Sequence, residues 1–102
     1  VAAPRSIAYV AAKHAVVGLT RAAAVAHAPD GIRVNAVGPG YIDTPLLGGI
    51  PAEGKEALVA MHPIGRLGTA VEVAHLAVWL ASDAASFATG AYYPIDGGYL
   101  AV

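Results

Sequence analysis

Residues 31–44 read Gly31-Ile32-Arg33-Val34-Asn35-Ala36-Val37-Gly38-Pro39-Gly40-Tyr41-Ile42-Asp43-Thr44. The β-branched Ile32, Val34 and Val37 make residues 32–37 a short strand, interrupted by Asn35 and ended by Gly38-Pro39-Gly40. A second short apolar run, Ala91-Tyr92-Tyr93-Pro94-Ile95, precedes the turn Asp96-Gly97-Gly98. Between the two runs lies Thr69-Ala70-Val71-Glu72, a capping box. In such a box hydroxyl and carboxylate satisfy the free N–H groups of a helix start reciprocally. The helix it opens runs to about Ser82. Two short apolar strands separated by a helical crossover predict a parallel α/β sheet. Parallel sheets are covered on both faces, so the chain reads as the closing part of a longer, doubly wound sheet.

Working outward, residues 7 to about 28 are alanine-rich and predict one long helix. Ser6 suits its N-cap and Pro29-Asp30-Gly31 ends it. Gly18 within it costs about 1 kcal/mol against alanine, a cost that close approach of another helix would offset. Residues 41–68 mix Gly, Pro and apolar side chains, with a short helix from Pro51 to Met61 that His62-Pro63 stops. The order is therefore helix, strand, short helix, helix, strand.

Composition narrows the function classes. Of the 102 residues 57% are hydrophobic and 13% charged, few charges for so small a soluble unit, which points to a piece of something larger or to a homo-oligomer. The net charge is −1 and no basic run favours nucleic acid. Lys13, Arg21, Glu72 and His75 break the longest apolar stretches, so no membrane span is expected. No cysteine is present, which excludes disulfides and thiolate chemistry and fits a reducing, cytoplasmic compartment. His14, His27, His62 and His75 lie far apart and form no metal-ligand pattern; they read as surface or helix-packing histidines. No charged segment followed by an apolar core marks a signal peptide.

Tyr9 and Lys13 carry the chemistry. Four residues apart on a helix, they share one face. A free phenol has a pKa of about 10, and a nearby ammonium favours the phenolate. Such a phenol can exchange a proton with an alcohol or carbonyl oxygen. Alone, the pair reads equally as a half-buried tyrosine beside a solvated lysine.

The rest of the chain decides. Tyr9-Val10-Ala11-Ala12-Lys13 is followed by Gly18-Leu19-Thr20-Arg21. Next comes Gly31-Ile32-Arg33-Val34-Asn35-Ala36-Val37 with Pro39-Gly40 and Thr44. Gly65-Arg66-Leu67-Gly68, Glu72-Val73-Ala74 and Leu80-Ala81-Ser82-Asp83 form the third part. Thr89-Gly90 with Asp96-Gly97-Gly98 forms the fourth. In this order, over nearly all 102 residues, the chain resembles the C-terminal part of the short-chain dehydrogenase/reductase family.

That resemblance implies one NAD(P)-binding, Rossmann-type domain of which residues 1–102 are the C-terminal part, with the N-terminal half absent. It implies an oxidoreductase that interconverts an alcohol and a ketone or aldehyde by hydride transfer, using NAD or NADP. Tyr9 would be the general acid/base. Lys13 would bind the nicotinamide ribose and assist Tyr9. Pro39 and Gly40 would wall the nicotinamide ring, and the Ile42 backbone with the Thr44 hydroxyl would hold its carboxamide. Against these stand plainer readings: a strand-ending turn for Pro39-Gly40 and a helix cap for Thr44-Pro45. Tyr9 and Lys13 tip the balance toward cofactor contact. Leu46, Leu47, Ile50 and Met61 would line the substrate side or simply pack the loop. Asp96-Gly97-Gly98 reads as a structural turn.

The family's glycine-rich pyrophosphate loop, catalytic serine and active-site asparagine lie upstream of these residues. The 102-residue polypeptide by itself is therefore expected to turn over little or nothing. Ala26 and Ala70 stand where many relatives carry glutamate and proline. The same motifs also fit a 3-oxoacyl-acyl-carrier-protein reductase. A reading from another class is a non-catalytic fragment acting only in oligomer contacts. The family implies a homo-oligomer, dimer or tetramer.

Overall fold

The computed structural model describes residues 7–102, so the Ser6 cap lies outside the described residues. Three α-helices and a two-stranded parallel sheet follow in the expected α/β order: α1 (Ile7–His27), β1 (Ala36–Pro39), α2 (Ala52–Ala60), α3 (Ala70–Ala81) and β2 (Tyr92–Ile95).

Helix α1 tightens into a 3₁₀ turn over Ala28–Asp30 and stops at Gly31, whose left-handed backbone (φ 74°) lets its N–H return to the Ala28 carbonyl. The expected compensation at Gly18 is not made within the described residues, because a Cβ there would meet nothing within 4 Å. Helix α3 starts on the capping box its sequence announces. The Glu72 N–H donates to Thr69 Oγ1 at 3.2 Å and the Thr69 N–H donates to Glu72 Oε1 at 2.9 Å. Helix α2 starts one residue later and ends one residue earlier than expected.

Strand β1 is displaced toward the C-terminus of its expected range. Residues 32–35 lie outside the ladder because their polar groups bond the loop before β2 instead. Asn35 donates from Nδ2 to the Ala88 carbonyl at 2.8 Å and accepts the Ala91 N–H at 3.3 Å. Arg33 donates to the carbonyls of Ala88 and Ser82, and the Val34 N–H donates to the Thr89 hydroxyl. The ladder then runs from Ala36 opposite Tyr92 to Pro39 opposite Ile95. Pro39 is tolerated because Ala36 and Gly40 donate toward β2, so residue 39 would aim its N–H at the other edge.

Among the described residues the buried apolar side chains are few: Ala24, Ala36, Leu67, Leu80 and Ala85. Leu19, Val78 and Phe87 stay exposed. The two-stranded parallel sheet thus has little apolar cover among the described residues. Among the described residues, no helix is long and apolar enough to cross a membrane.

Candidate active site

The segment after β1 is set by peptide planes. The Gly68 N–H donates to the Tyr41 carbonyl at 3.1 Å, and the Asp43 N–H donates to the Gly68 carbonyl at 2.9 Å, forming a parallel bridge between Ile42 and Gly68. Each peptide unit is planar and trans, with N–H and C=O pointing opposite ways. The Ile42 N–H shares its plane with the Tyr41 carbonyl, and the Ile42 carbonyl shares its plane with the Asp43 N–H. Both Ile42 groups therefore face away from Gly68. Among the described residues neither has a hydrogen-bond partner. One residue thus presents a donor and an acceptor side by side, the pattern that matches a primary amide.

Thr44 precedes the 3₁₀ turn Pro45–Leu47, yet its side chain makes no capping hydrogen bond. The plainer reading of Thr44-Pro45 as a helix cap holds for position, with the Thr44 carbonyl accepting the Leu47 N–H at 2.9 Å, while the Thr44 hydroxyl takes no part in the cap. The Gly40 N–H donates to the Ile95 carbonyl at 3.1 Å, and a Cβ on Gly40 would lie 2.8 Å from His62 Nε2 and 3.0 Å from the Asp96 Cα. Only glycine fits there.

Gly40, Ile42 and Thr44 line a cleft of about 830 Å³. Helix α1 brings Tyr9 and Lys13 to the same cleft, together with Val10, His14 and Val17. The Lys13 Nζ stands over the Tyr9 ring, 5.3 Å from its centroid, a cation–π distance. Tyr9 is 60% exposed, so a reactant can reach its hydroxyl. All six residues singled out from sequence, Tyr9, Lys13, Pro39, Gly40, Ile42 and Thr44, thus share one cavity.

The apolar wall differs in part from expectation. Leu46 and Leu47 line the cleft. Ile50 instead packs against Gly54 of α2, where a Cβ would meet its Cγ2 at 2.7 Å, and Met61 caps the end of α2. The remaining wall comes from the chain's far end: Tyr92 of β2, with Tyr99 and Leu100 of the 3₁₀ turn Tyr99–Ala101. Strand order alone did not reveal these three. The pairing of β2 with β1 brings them in. Asp96 holds that turn, accepting the Gly98 N–H at 3.0 Å and the Leu100 N–H at 3.2 Å, as the structural reading expected. His62, read as a surface or helix-packing histidine, takes the packing role: it is buried behind this wall with 4% of its surface exposed, bonded to Leu58 of α2.

Beside the cleft, Arg66 grips Glu72 through two parallel 2.9 Å bonds. That fork, followed by the Thr69 N–H, holds the Glu72 carboxyl down at about 2, and the carboxylate raises Arg66. The pair braces the start of α3 and carries no reacting group.

A family model described as enoyl-(acyl carrier protein) reductase matches residues 1–100. The chain belongs to the short-chain dehydrogenase/reductase family. Within that family it is 57% identical over 97 residues to cis-4-hydroxycyclohexanecarboxylate dehydrogenase of Sinomonas cyclohexanicum, covering 95% of this chain and 39% of the relative. It is 58% identical over 92 residues to cyclohexanol dehydrogenase of Acinetobacter sp. (strain SE19), covering 89% and 35%. The short-chain dehydrogenase/reductase fold recurs in the structure of ElxO with NADP bound, at a TM-score of 0.90 and 42% identity, covering 100% of this chain and 42% of that one. The chain thus spans about two fifths of the length of these relatives.

Proposed function

We propose that these residues form the C-terminal part of one dinucleotide-binding domain whose enzyme interconverts a secondary alcohol and a ketone with NAD or NADP. One observation carries the reading: an exposed phenol with an ammonium over its ring shares a cleft with Ile42, whose N–H and C=O have no partner among the described residues. The unpartnered Ile42 groups and the uncapped Thr44 hydroxyl fit a carboxamide, and Pro39 and Gly40 offer a flat wall for a ring. A bound nicotinamide dinucleotide supplies or receives the hydride.

The chain's own residues do the rest. Tyr9 exchanges a proton with the substrate oxygen through its hydroxyl. Lys13 assists Tyr9 and binds the cofactor's ribose. Ile42, Thr44, Pro39 and Gly40 fix which face of the ring meets the substrate, which is catalysis by orientation. Leu46, Leu47, Tyr92, Tyr99 and Leu100 exclude water and favour an apolar substrate. The names of the two curated relatives, both acting on six-membered ring alcohols, support an alicyclic alcohol as that substrate. We place the enzyme in the cytoplasm as a homo-oligomer, dimer or tetramer. The exposed Leu19, Val78 and Phe87 support association.

The test is Tyr9→Phe in the full-length protein, assayed with cyclohexanol and either dinucleotide. Turnover falls by roughly a hundredfold or more while dinucleotide affinity is kept. A Tyr9→Phe enzyme as active as wild type would overturn the reading.

A further inference from the structure

His62 follows the last residues of α2, and both of its ring nitrogens have partners whose roles are fixed. The Leu58 carbonyl 2.7 Å from Nδ1 can only accept, so Nδ1 carries the proton. The Tyr41 N–H, 3.1 Å from Nε2, can only donate, so Nε2 is the acceptor. The ring is 4% exposed and packs against Tyr41 and Tyr99, with centroids at 5.8 Å and 5.5 Å. Its Nε2 also sits where only a glycine at position 40 leaves room.

This imidazole therefore joins α2 to the cleft wall. On one side is the C-terminal turn of α2, where the Leu58 carbonyl accepts the Met61 N–H at 3.1 Å and the His62 ring as a second donor. On the other is the Gly40–Tyr41 peptide plane. Gly68 fixes the next two planes through its own backbone, as described above. The first plane rests on the His62 side chain, and it leads directly into the Ile42 donor–acceptor pair. The His62 bond at the first plane and the Gly68 bonds at the next two anchor the Gly40–Ile42 run from both of its ends.

We propose that His62 is a positioning residue that sets the Gly40–Ile42 backbone for the carboxamide of the nicotinamide dinucleotide. This inference rests on the reading above that the cleft takes that cofactor. His62 touches neither cofactor nor substrate; it acts through the Tyr41 N–H. Nothing in the sequence marks it, since its partner lies 21 residues earlier.

Two conservative replacements separate its two bonds. His62→Gln places a side-chain oxygen where Nε2 stands and keeps an acceptor for the Tyr41 N–H. His62→Asn places its amide nitrogen near Nδ1, keeping the donor to Leu58 and dropping the acceptor. The full-length protein and both variants are titrated with NAD and NADP by calorimetry, and their thermal unfolding and kcat are measured. Gln keeps the dinucleotide Kd within about twofold of wild type, whereas Asn weakens it about tenfold with an unfolding temperature no lower than that of Gln. Equal Kd values for Asn and Gln, or unfolding of both, would overturn the positioning role and leave only packing. A wild-type protein that binds neither dinucleotide would overturn the cofactor reading as well, which tells the two failures apart.

Discussion

The Tyr92 side chain occupies the space that a Cβ on Gly38 would need, its hydroxyl and ring carbons falling on that position. Both residues belong to the paired strands, and Tyr92 also lines the cleft. Gly38 is therefore held to glycine by a cleft side chain and not by a left-handed backbone.

Gly38→Ala should push the Tyr92 ring aside and cost about 1–3 kcal/mol, the usual cost of overpacking. Chemical denaturation of the full-length protein measures it. Replacing Tyr92 by Ala in the same background should recover most of the loss. Additive effects of the two substitutions would show that they do not compete for this space.

Lys13→Met removes the ammonium above the Tyr9 ring while keeping much of the side chain's apolar length. The expected outcome is a fall in kcat/KM of roughly a hundredfold, with a rise in dinucleotide Kd. Steady-state kinetics and a binding titration separate the two. Unchanged kcat/KM would remove Lys13 from the chemistry.

Glu72 gives a pH dependence with a definite sign. Its carboxyl is lowered from an ordinary 4.5 to about 2, chiefly by the Arg66 hydrogen bond. A group depressed in the folded state stabilises above its unfolded pKa, and that contribution disappears as pH falls through the folded value. Thermal unfolding temperature should therefore drop between about pH 4.5 and about pH 2. Glu72→Gln should lack that component, and an identical pH profile in the variant would count against the assignment.

Asn35 is the joint between β1 and the loop before β2. Asn35→Ala leaves the Ala88 carbonyl and the Ala91 N–H without this partner. A loss of about 1–3 kcal/mol is expected, measured by denaturant unfolding. Faster amide exchange at Ala91 and Ala36 should accompany it, because the ladder begins there with the Ala36 N–H on the Ala91 carbonyl.

Local chemistry was legible wherever a residue's role is set by its near neighbours. Thr69 and Glu72 announced the start of α3, Gly31 the end of α1, and Tyr9 with Lys13 one face of a helix, all within a few residues of chain. The parallel pairing of two short strands followed from a helix between them, and the family from four ordered motifs. Strand β1 was misplaced because Asn35 and Arg33 spend their hydrogen bonds on residues about fifty positions away, at Ser82, Ala88 and Ala91, which no local propensity records. The same physics hid His62, Tyr92, Tyr99 and Leu100. Hydrogen-bond direction and steric room depend on which backbones meet in space. The proposed reacting groups, Tyr9 and Lys13, were thus written in the sequence as neighbours on one helix, whereas the walls around them and the orientation of Ile42 were decided by the tertiary fold.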